Sequence, residues 1–500
     1  MTSKKEYGDF QTPDGLATKV TALVNELFGT PDFVIEPTVG LGTFIEASAA
    51  RWGTSTEYAG YDINEAYVER ARKRLRHVGA KIFERDFFLE DWNRNLSRPA
   101  KSRTLVIGNP PWVTNSDLGQ MGSKNLPQKS NFQGLRGFDA RTGKSNFDIA
   151  EWMLIRLIES LPTEGAVAML CKTMTARKVL RHFWKTDGGR EGSRLFHIDA
   201  KAEFNVAVDA CLFFATGTRT DDCSATVYTD LDTASESTRF GLVGGELVAN
   251  VDAYMSHKHL EGESAAYTWR SGVKHDAAKV MEFTREGGKL INGFGEAVQI
   301  EDEYVYPLLK SSDLGNGRVC IRKAVLVTQR HTGDDTGEIN VKAPKTWDYL
   351  MRHKSALDGR KSSIYKKRPQ FCVFGIGPYS FAPWKVAISG LYKNMTFVLV
   401  PPCDDRPVMV DDTCYSIPCQ SEAEAELLLD LLSSAQATAF LNSLVFADSK
   451  RPITIDVLRR ISVEELARQN GRLDELMEFV CSGSGSGNVQ RRLPLLIEPT

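Results

Sequence analysis

The feature that most restricts the fold of this chain is an alternation in its first half. Phe33-Val-Ile-Glu36, Glu57-Tyr-Ala-Gly-Tyr-Asp62, Ala80-Lys-Ile-Phe83, Thr104-Leu-Val-Ile-Gly108 and Ala166-Val-Ala-Met-Leu-Cys171 are short apolar runs of strand type. Between them lie stretches of helical spacing, among them 147–161 and 64–77, the latter with Ala66, Tyr67, Ala71, Leu75 and Val78 recurring along one side. Apolar strands separated by amphipathic helices predict a parallel sheet covered on both faces. Ligands bind such sheets at the carboxyl ends of the strands, so the loops after the strands are where chemistry is expected.

The first three of those loops carry groups suited to an adenosine. Glu36 is followed by Pro37-Thr38-Val39-Gly40-Leu41-Gly42, and glycines at 40 and 42 let the backbone turn tightly and approach a ligand. A dinucleotide-binding fingerprint requires a third glycine at position 45; Ile45 stands there, which argues against a nicotinamide cofactor. Asp62 ends the second run, placed to accept hydrogen bonds from two ribose hydroxyls. After the third come Asp86, able to accept from an adenine amine, and Phe87, able to cover the ring face. Each residue alone is as readily a helix cap, a surface acid or a core ring. Their succession on neighbouring strand ends describes a pocket.

The fourth run leads directly into Asn109-Pro110-Pro111-Trp112, the most specific signal in the chain. At average residue usage a polar-Pro-Pro-aromatic tetrapeptide arises by chance in about one chain of this length in a hundred. Two prolines fix the backbone and remove two donors, which leaves carbonyls free to accept. An aromatic amine is a poor nucleophile because its lone pair is delocalised into the ring. If the Asn109 side-chain oxygen and the Pro110 carbonyl accept its two hydrogens, the nitrogen can pyramidalise and direct that lone pair at an electrophile. Asn109 is no general base, so the gain must come from orientation and stabilisation of developing positive charge. Trp112 would stack on the base, which must leave its duplex to reach such a pocket.

At 500 residues the chain exceeds one ordinary core, so two domains are expected. A composition of 42% hydrophobic and 25% charged residues is that of a globular protein. No apolar run approaches a membrane span and the start is not of signal-peptide type, so a cytoplasmic location without a membrane partner is expected. The nine Cys stand singly, with no CxxC pair, and His257 and His259 read as a surface pair; no disulfide framework and no metal are expected. The polar, small-residue stretch at 221–237 suggests a boundary, giving a catalytic domain over 1–235, a mixed α+β domain over 236–481 with a helix at 421–444, and a flexible tail over 482–500. The net charge of −2 does not by itself suggest nucleic acid, but its distribution does. Lys124, Lys129, Arg136, Arg141 and Lys144 cluster in a polar loop, and Arg352, Lys354, Arg360, Lys361, Lys366, Lys367 and Arg368 form a second group.

Gly8-Asp-Phe-Gln-Thr-Pro13, Glu36-Pro-Thr-Val-Gly-Leu-Gly-Thr-Phe44, Tyr61-Asp62, Arg85-Asp-Phe87 and Asn109-Pro-Pro-Trp112 resemble, in order, the motifs of the gamma class of amino-methylating DNA methyltransferases known from restriction–modification systems. The resemblance spans residues 7–216 and implies an α/β, class I (Rossmann-like) S-adenosylmethionine-dependent methyltransferase domain. It implies that S-adenosylmethionine is held by Thr12, Glu36, Thr38, Gly40, Gly42, Asp62, Asp86, Phe87 and Asn109, with Thr12 and the glycine loop at its methionine end. Asn109, Pro110, Pro111 and Trp112 become the catalytic residues, and Phe204, in Ala202-Glu-Phe-Asn-Val-Ala207, a second aromatic facing the flipped base. The family usually has Tyr or Phe where Trp112 stands, so a stacking surface is kept and a hydroxyl is lost. Trp269-Arg-Ser-Gly-Val-Lys-His-Asp276, Tyr306-Pro-Leu-Leu-Lys-Ser-Ser-Asp313 and Ser449-Lys-Arg-Pro-Ile-Thr454 resemble, more loosely, the attached target-recognition domains.

The implied activity is methylation of the N6 amine of adenine in double-stranded DNA by a monomer, with a cognate restriction endonuclease as a possible partner encoded nearby. No nuclease is expected within the chain, because the cofactor motifs begin at residue 7. Two other readings share the motif: a methyltransferase of RNA or of protein glutamine, and a catalytically silent DNA-binding subunit of a defence complex. The motif chemistry serves adenine and the exocyclic amine of cytosine alike. Pro418-Cys419-Gln420 resembles the nucleophile motif of cytosine-ring methyltransferases but lies beyond any cofactor loop. Residues 137–145 resemble a phosphate-binding loop, with five residues rather than four between Gly137 and Gly143 and no strand before them.

Overall fold

The computed structural model describes residues 10–99, 101–113 and 148–482. The basic loop with Lys124 to Lys144, the phosphate-loop-like segment and the tail beyond residue 482 lie outside them. The chain forms two compact units, Met1–Val251 and Asp252–Thr500.

The first unit is built on β1 (Phe33–Glu36), β2 (Glu57–Asp62), β3 (Lys81–Glu84), β4 (Thr104–Gly108), β5 (Ala166–Lys172), β6 (Arg194–Ile198), β7 (Ala210–Thr216), β8 (Ser224–Tyr228), β9 (Ser237–Val243) and β10 (Glu246–Val248). They make one sheet in the order β10-β9-β8-β6-β7-β5-β4-β1-β2-β3. The pairs β3-β2, β2-β1, β1-β4 and β4-β5 are parallel, as the apolar runs predict, while β7 lies antiparallel between β5 and β6. Every residue of β4 is buried, the mark of a strand covered on both faces. Its helices are α1 (Asp14–Phe28), α2 (Thr43–Trp52), α3 (Glu65–Arg74), α4 (Trp92–Leu96), α5 (Ile149–Glu159), α6 (Thr173–Thr186) and α7 (Ala200–Phe204). Val34, Ile45, Val68, Leu105, Ala168 and Leu212 belong to one continuous core. The order reverses between β1 and β4, where strands to either side leave a crevice at their carboxyl ends.

The boundary differs from the expectation at 235. β9 and β10 extend the first sheet by antiparallel pairing on β8, so the first unit runs on to Val251. The polar stretch there holds β8 and, at 229–236, the connection of the β8–β9 hairpin, with the Asp232 carboxylate accepting from Ala234 N at 2.9 Å. Small polar residues serve turns and linkers equally well, so composition did not separate the two.

The second unit holds a six-stranded sheet and a four-stranded sheet. The expected helix over 421–444 is two, Glu422–Ser433 and Ala435–Leu444, because Ser434 is extended and caps the second by accepting from Ala437 N. The motifs around Lys274 and Lys310 meet in a partly buried charge network. Lys310 Nζ lies 2.8 Å from Glu282 Oε1 and 2.9 Å from Asp411 Oδ2, His275 Nε2 lies 3.3 Å from Glu282 Oε1, and Lys323 Nζ 2.8 Å from Glu282 Oε2. Burial alone would push the Glu282 pKa up, but the hydrogen bonds from His275, Lys310 and Lys323 hold it far below the usual carboxylate range. Those motif residues are internal scaffolding. In the basic group, Arg360 is likewise turned inward, donating to the carbonyls of Leu357, His275 and Cys372 and lying 3.7 Å from the centre of the Tyr365 ring. Lys361, Lys366, Lys367 and Arg368 beside it are exposed.

Candidate active site

The carboxyl ends of β1 to β4 open into a cleft holding about 930 Å³ of unfilled space, its mouth included. Thr12, Glu36, Thr38, Gly40, Asp62, Asp86, Phe87, Asn109 and Pro111 all line it, brought together from loops up to about a hundred residues apart in sequence. Gly42, Pro110, Trp112 and Phe204 do not. Pro37, Val39, Thr43 and Arg85 also line it, and Phe10, Gln11, Ile63, Asn64, Tyr67, Phe88, Ile149 and Met153, which were not assigned to the site from the sequence, complete the wall. Ile63 left a usable signal, an apolar residue directly after the strand-ending Asp62; it is 42% exposed.

The β1–α2 loop is shaped by its two glycines in different ways. Gly40 has φ +50° and donates its N–H to Asp62 Oδ2 at 2.9 Å, while Asp62 Oδ1 accepts from Asn64 N at 2.9 Å. The carboxylate thus ties the first loop to the second at the mouth of the cleft. Gly42 has φ +82° at the start of α2, and a Cβ there would stand 2.6 Å from Leu75 Cδ1. Its part is close packing rather than ligand contact.

Glu36 is 3% exposed and accepts from Ile45 N at 3.3 Å. Desolvation pushes its pKa well above the usual value; the Asp62 charge adds to the rise, and the Ile45 N–H and Arg74 only partly oppose it. Asp86 accepts from Phe88 N at 2.9 Å, which turns the chain so that Phe87 packs on Trp92, ring centres 4.7 Å apart, and walls the cleft.

Asn109 is held by the segment before α1. Its Nδ2 donates to the Phe10 carbonyl at 2.9 Å and to Thr12 Oγ1 at 3.3 Å, and its own carbonyl accepts from Thr38 Oγ1 at 3.2 Å. A carbonyl can only accept, so the bond to Phe10 fixes which way the amide faces. Oδ1 is left buried and, among the described residues, without a hydrogen-bond partner. A buried acceptor without a donor costs about 1–3 kcal/mol, a penalty found at sites that await a ligand. Trp112 is 5% exposed and donates to the Leu170 carbonyl at 3.4 Å. Its ring centre is 5.8 Å from that of Phe10 and 5.2 Å from that of Phe204, which the αL residue Asn205 places at the end of α7. The expected aromatic pair therefore exists, but its Trp112 ring is covered rather than open to the cleft. Cys419 lies in the buried strand Cys414–Cys419 with its thiol pKa pushed up by burial, which suits a core residue and not a nucleophile.

The chain is 41% identical, over 474 residues, to the type II methyltransferase M.NspV of Nostoc sp. (strain ATCC 29411 / PCC 7524), covering 93% of this chain and 98% of the relative. It belongs to the type II restriction–modification DNA methyltransferases. No protein-family profile matches it. Among solved structures, the type IIL restriction–modification enzyme MmeI in complex with DNA superposes with a TM-score of 0.52 at 14% identity, over 95% of this chain and 73% of that one. The type IIG restriction endonuclease BpuSI gives 0.40 at 13% identity, over 94% and 61%. The methyltransferase is thus of the class I, S-adenosylmethionine-dependent type, and readings as an RNA or protein-glutamine enzyme give way to DNA. The cleft fits that methyl donor: Gly40, with its positive φ, and the Asp62 carboxylate close one side of it, Phe87 gives an aromatic wall, and Asn109 Oδ1 is a buried acceptor with no hydrogen-bond partner among the described residues. Among the described residues no helix is long and apolar enough to cross a membrane.

Proposed function

We propose that this methyltransferase modifies the N6 amine of an adenine flipped out of double-stranded DNA at a defined sequence. The single observation that carries amine methylation is the buried Oδ1 of Asn109, oriented by Phe10 and Thr12 and without a partner among the described residues, while the choice of adenine rests on the resemblance to the gamma class. In this reading Oδ1 and the Pro110 carbonyl accept the two amine hydrogens. The nitrogen then becomes tetrahedral, and both carbonyl dipoles face the positive charge that develops on it. The Asn109 amide is already oriented by Phe10 and Thr12, so it needs no reorganisation at the moment of reaction. When bound, S-adenosylmethionine supplies an electrophilic methyl group on a sulfonium centre. Glu36, Thr38, Gly40, Asp62, Asp86 and Phe87 would hold the donor, with Thr12 and Asn109 at its methionine end; Gly42 would shape the loop beneath. Trp112 and Phe204 would take the flipped base once its entry uncovers the Trp112 ring, and stacking of about 1–3 kcal/mol offsets part of the cost of unpairing.

The second unit would read the target, with Lys361, Lys366, Lys367 and Arg368 set against the phosphate backbone. The protein would act in the cytoplasm as a monomer, paired with a restriction endonuclease of the same specificity.

The test is single-molecule sequencing with modified-base detection on DNA from cells producing the protein or its Asn109→Ala variant. Methyladenine at one motif, absent with Asn109→Ala, is the expected result. Methylcytosine at that motif would correct the base. No modification by either protein would favour a silent DNA-binding subunit. In vitro, Asn109→Ala should abolish turnover while the dissociation constant for S-adenosylmethionine stays within about threefold, because the amide only borders that site.

A further inference from the structure

We infer that Lys172 and Asp148 form a clamp that positions the 109–112 turn for methyl transfer, a role resting on the proposed reading of Asn109 and Pro110 as amine acceptors. The turn contains two prolines, so it has no N–H at 110 or 111 with which to anchor itself. It is held instead through carbonyls on either side of them. Asn109 O accepts from Thr38 Oγ1 at 3.2 Å, Trp112 O from Lys172 Nζ at 3.0 Å, and Val113 O from Ile149 N at 3.0 Å. Between these fixed points, the Pro110 and Pro111 carbonyls accept no hydrogen bond among the described residues. The pattern of anchoring thus decides which carbonyls stay free to receive an amine.

Lys172 can hold one carbonyl only if its own position is fixed. It is the last residue of β5, and its ammonium lies 2.7 Å from Asp148 Oδ2. Asp148 is fixed in turn, its Oδ1 accepting from Ala150 N at 3.1 Å to cap α5, with its side chain 8% exposed against 22% for Lys172. One carboxylate therefore joins the start of α5, the end of β5 and the catalytic turn. Charge gives the pairing a second purpose. An unpaired ammonium beside a nitrogen that becomes positive would oppose the reaction, and Asp148 cancels it. Lys172 does not line the cleft, so it is a positioning residue that acts through the Trp112 carbonyl.

The test compares Lys172→Met, Lys172→Arg, Asp148→Asn and the double variant Lys172→Met/Asp148→Asn with the parent, using Asn109→Ala as the reference for lost chemistry. Methyl transfer to duplex DNA, calorimetric binding of S-adenosylmethionine and thermal melting are measured on each full-length protein. Lys172→Met should lower kcat about 100-fold while the dissociation constant for S-adenosylmethionine stays within about threefold, the signature of misplaced reacting groups. Lys172→Arg keeps a donor for both partners and should recover kcat to within about tenfold of the parent. The double variant should be no slower than the slower single one, since the pair acts as a unit. A Lys172→Met enzyme with kcat within about twofold of the parent, alongside an inactive Asn109→Ala, overturns the clamp and leaves the acceptor reading intact. Loss of S-adenosylmethionine binding and of cooperative melting in both Lys172→Met and Asp148→Asn also overturns it, by making the pair a folding element. Full activity in Asn109→Ala instead defeats the acceptor reading itself.

Discussion

The carboxyl of Glu36 shows what a single residue gains from its surroundings in this protein. It is buried beneath the glycine loop, and its pKa is raised from 4.5 chiefly by desolvation, with Asp62 adding to the rise. A carboxyl whose folded pKa lies above its unfolded one contributes stability that is complete below about pH 4.5 and is lost as pH rises through the folded value. Thermal melts of the cofactor-free protein should therefore fall in midpoint across that window, and Glu36→Gln should flatten this part of the profile. A parent profile already flat there would contradict the assignment. Other features at this scale needed three dimensions. Asn109 could be read as an acceptor from its neighbours in sequence, but the amide orientation depends on Phe10 and Thr12, nearly a hundred residues earlier. Trp112 could be read as an aromatic at the site, whereas its burial against Phe204 could not.

At the scale of elements, strands were more legible than caps and breaks. β1, β2 and β4 begin and end where their apolar runs do; for β4, buried at every position, the reason is that a strand covered on both faces has little room for polar residues. The helix over 421–444 looked continuous since Ser434 is unremarkable in an amphipathic pattern; only its extended backbone makes it a cap. In the β1–α2 loop the sequence shows two glycines but not their different burdens. Gly42→Ala would put a Cβ 2.6 Å from Leu75 Cδ1 on a residue at φ +82°. It should cost about 1–3 kcal/mol of stability and weaken S-adenosylmethionine binding by disturbing the loop that also holds Gly40. Chemical denaturation and calorimetry would check both, and unchanged values would mean that Leu75 and the loop give way freely.

For the whole molecule, the net charge of −2 hides a local concentration of cations in the second unit. Replacing Lys361, Lys366, Lys367 and Arg368 together with Gln should weaken duplex binding for every sequence and reduce the slope of log affinity against log salt by up to about 4, roughly one for each phosphate that no longer meets a cation. Titrations at several salt concentrations would read this directly; an unchanged slope would move the backbone-binding surface elsewhere. Arg360 is left out because it is already engaged by three carbonyls and the Tyr365 ring, a role that its place in a basic run concealed. By itself the sequence determined the parallel α/β class, the loops that would carry chemistry and the acceptor character of the 109–112 turn, because these follow from local hydrophobic spacing and from covalent properties of Asn and Pro. Tertiary structure alone decided that β9 and β10 complete the first sheet, that the motifs around Lys274 and Lys310 meet in an internal charge network, and that Lys172, paired with Asp148, holds the Trp112 carbonyl of the 109–112 turn. Each of these depends on residues far apart in the chain meeting in space, and a pattern of neighbours along a sequence does not contain such meetings.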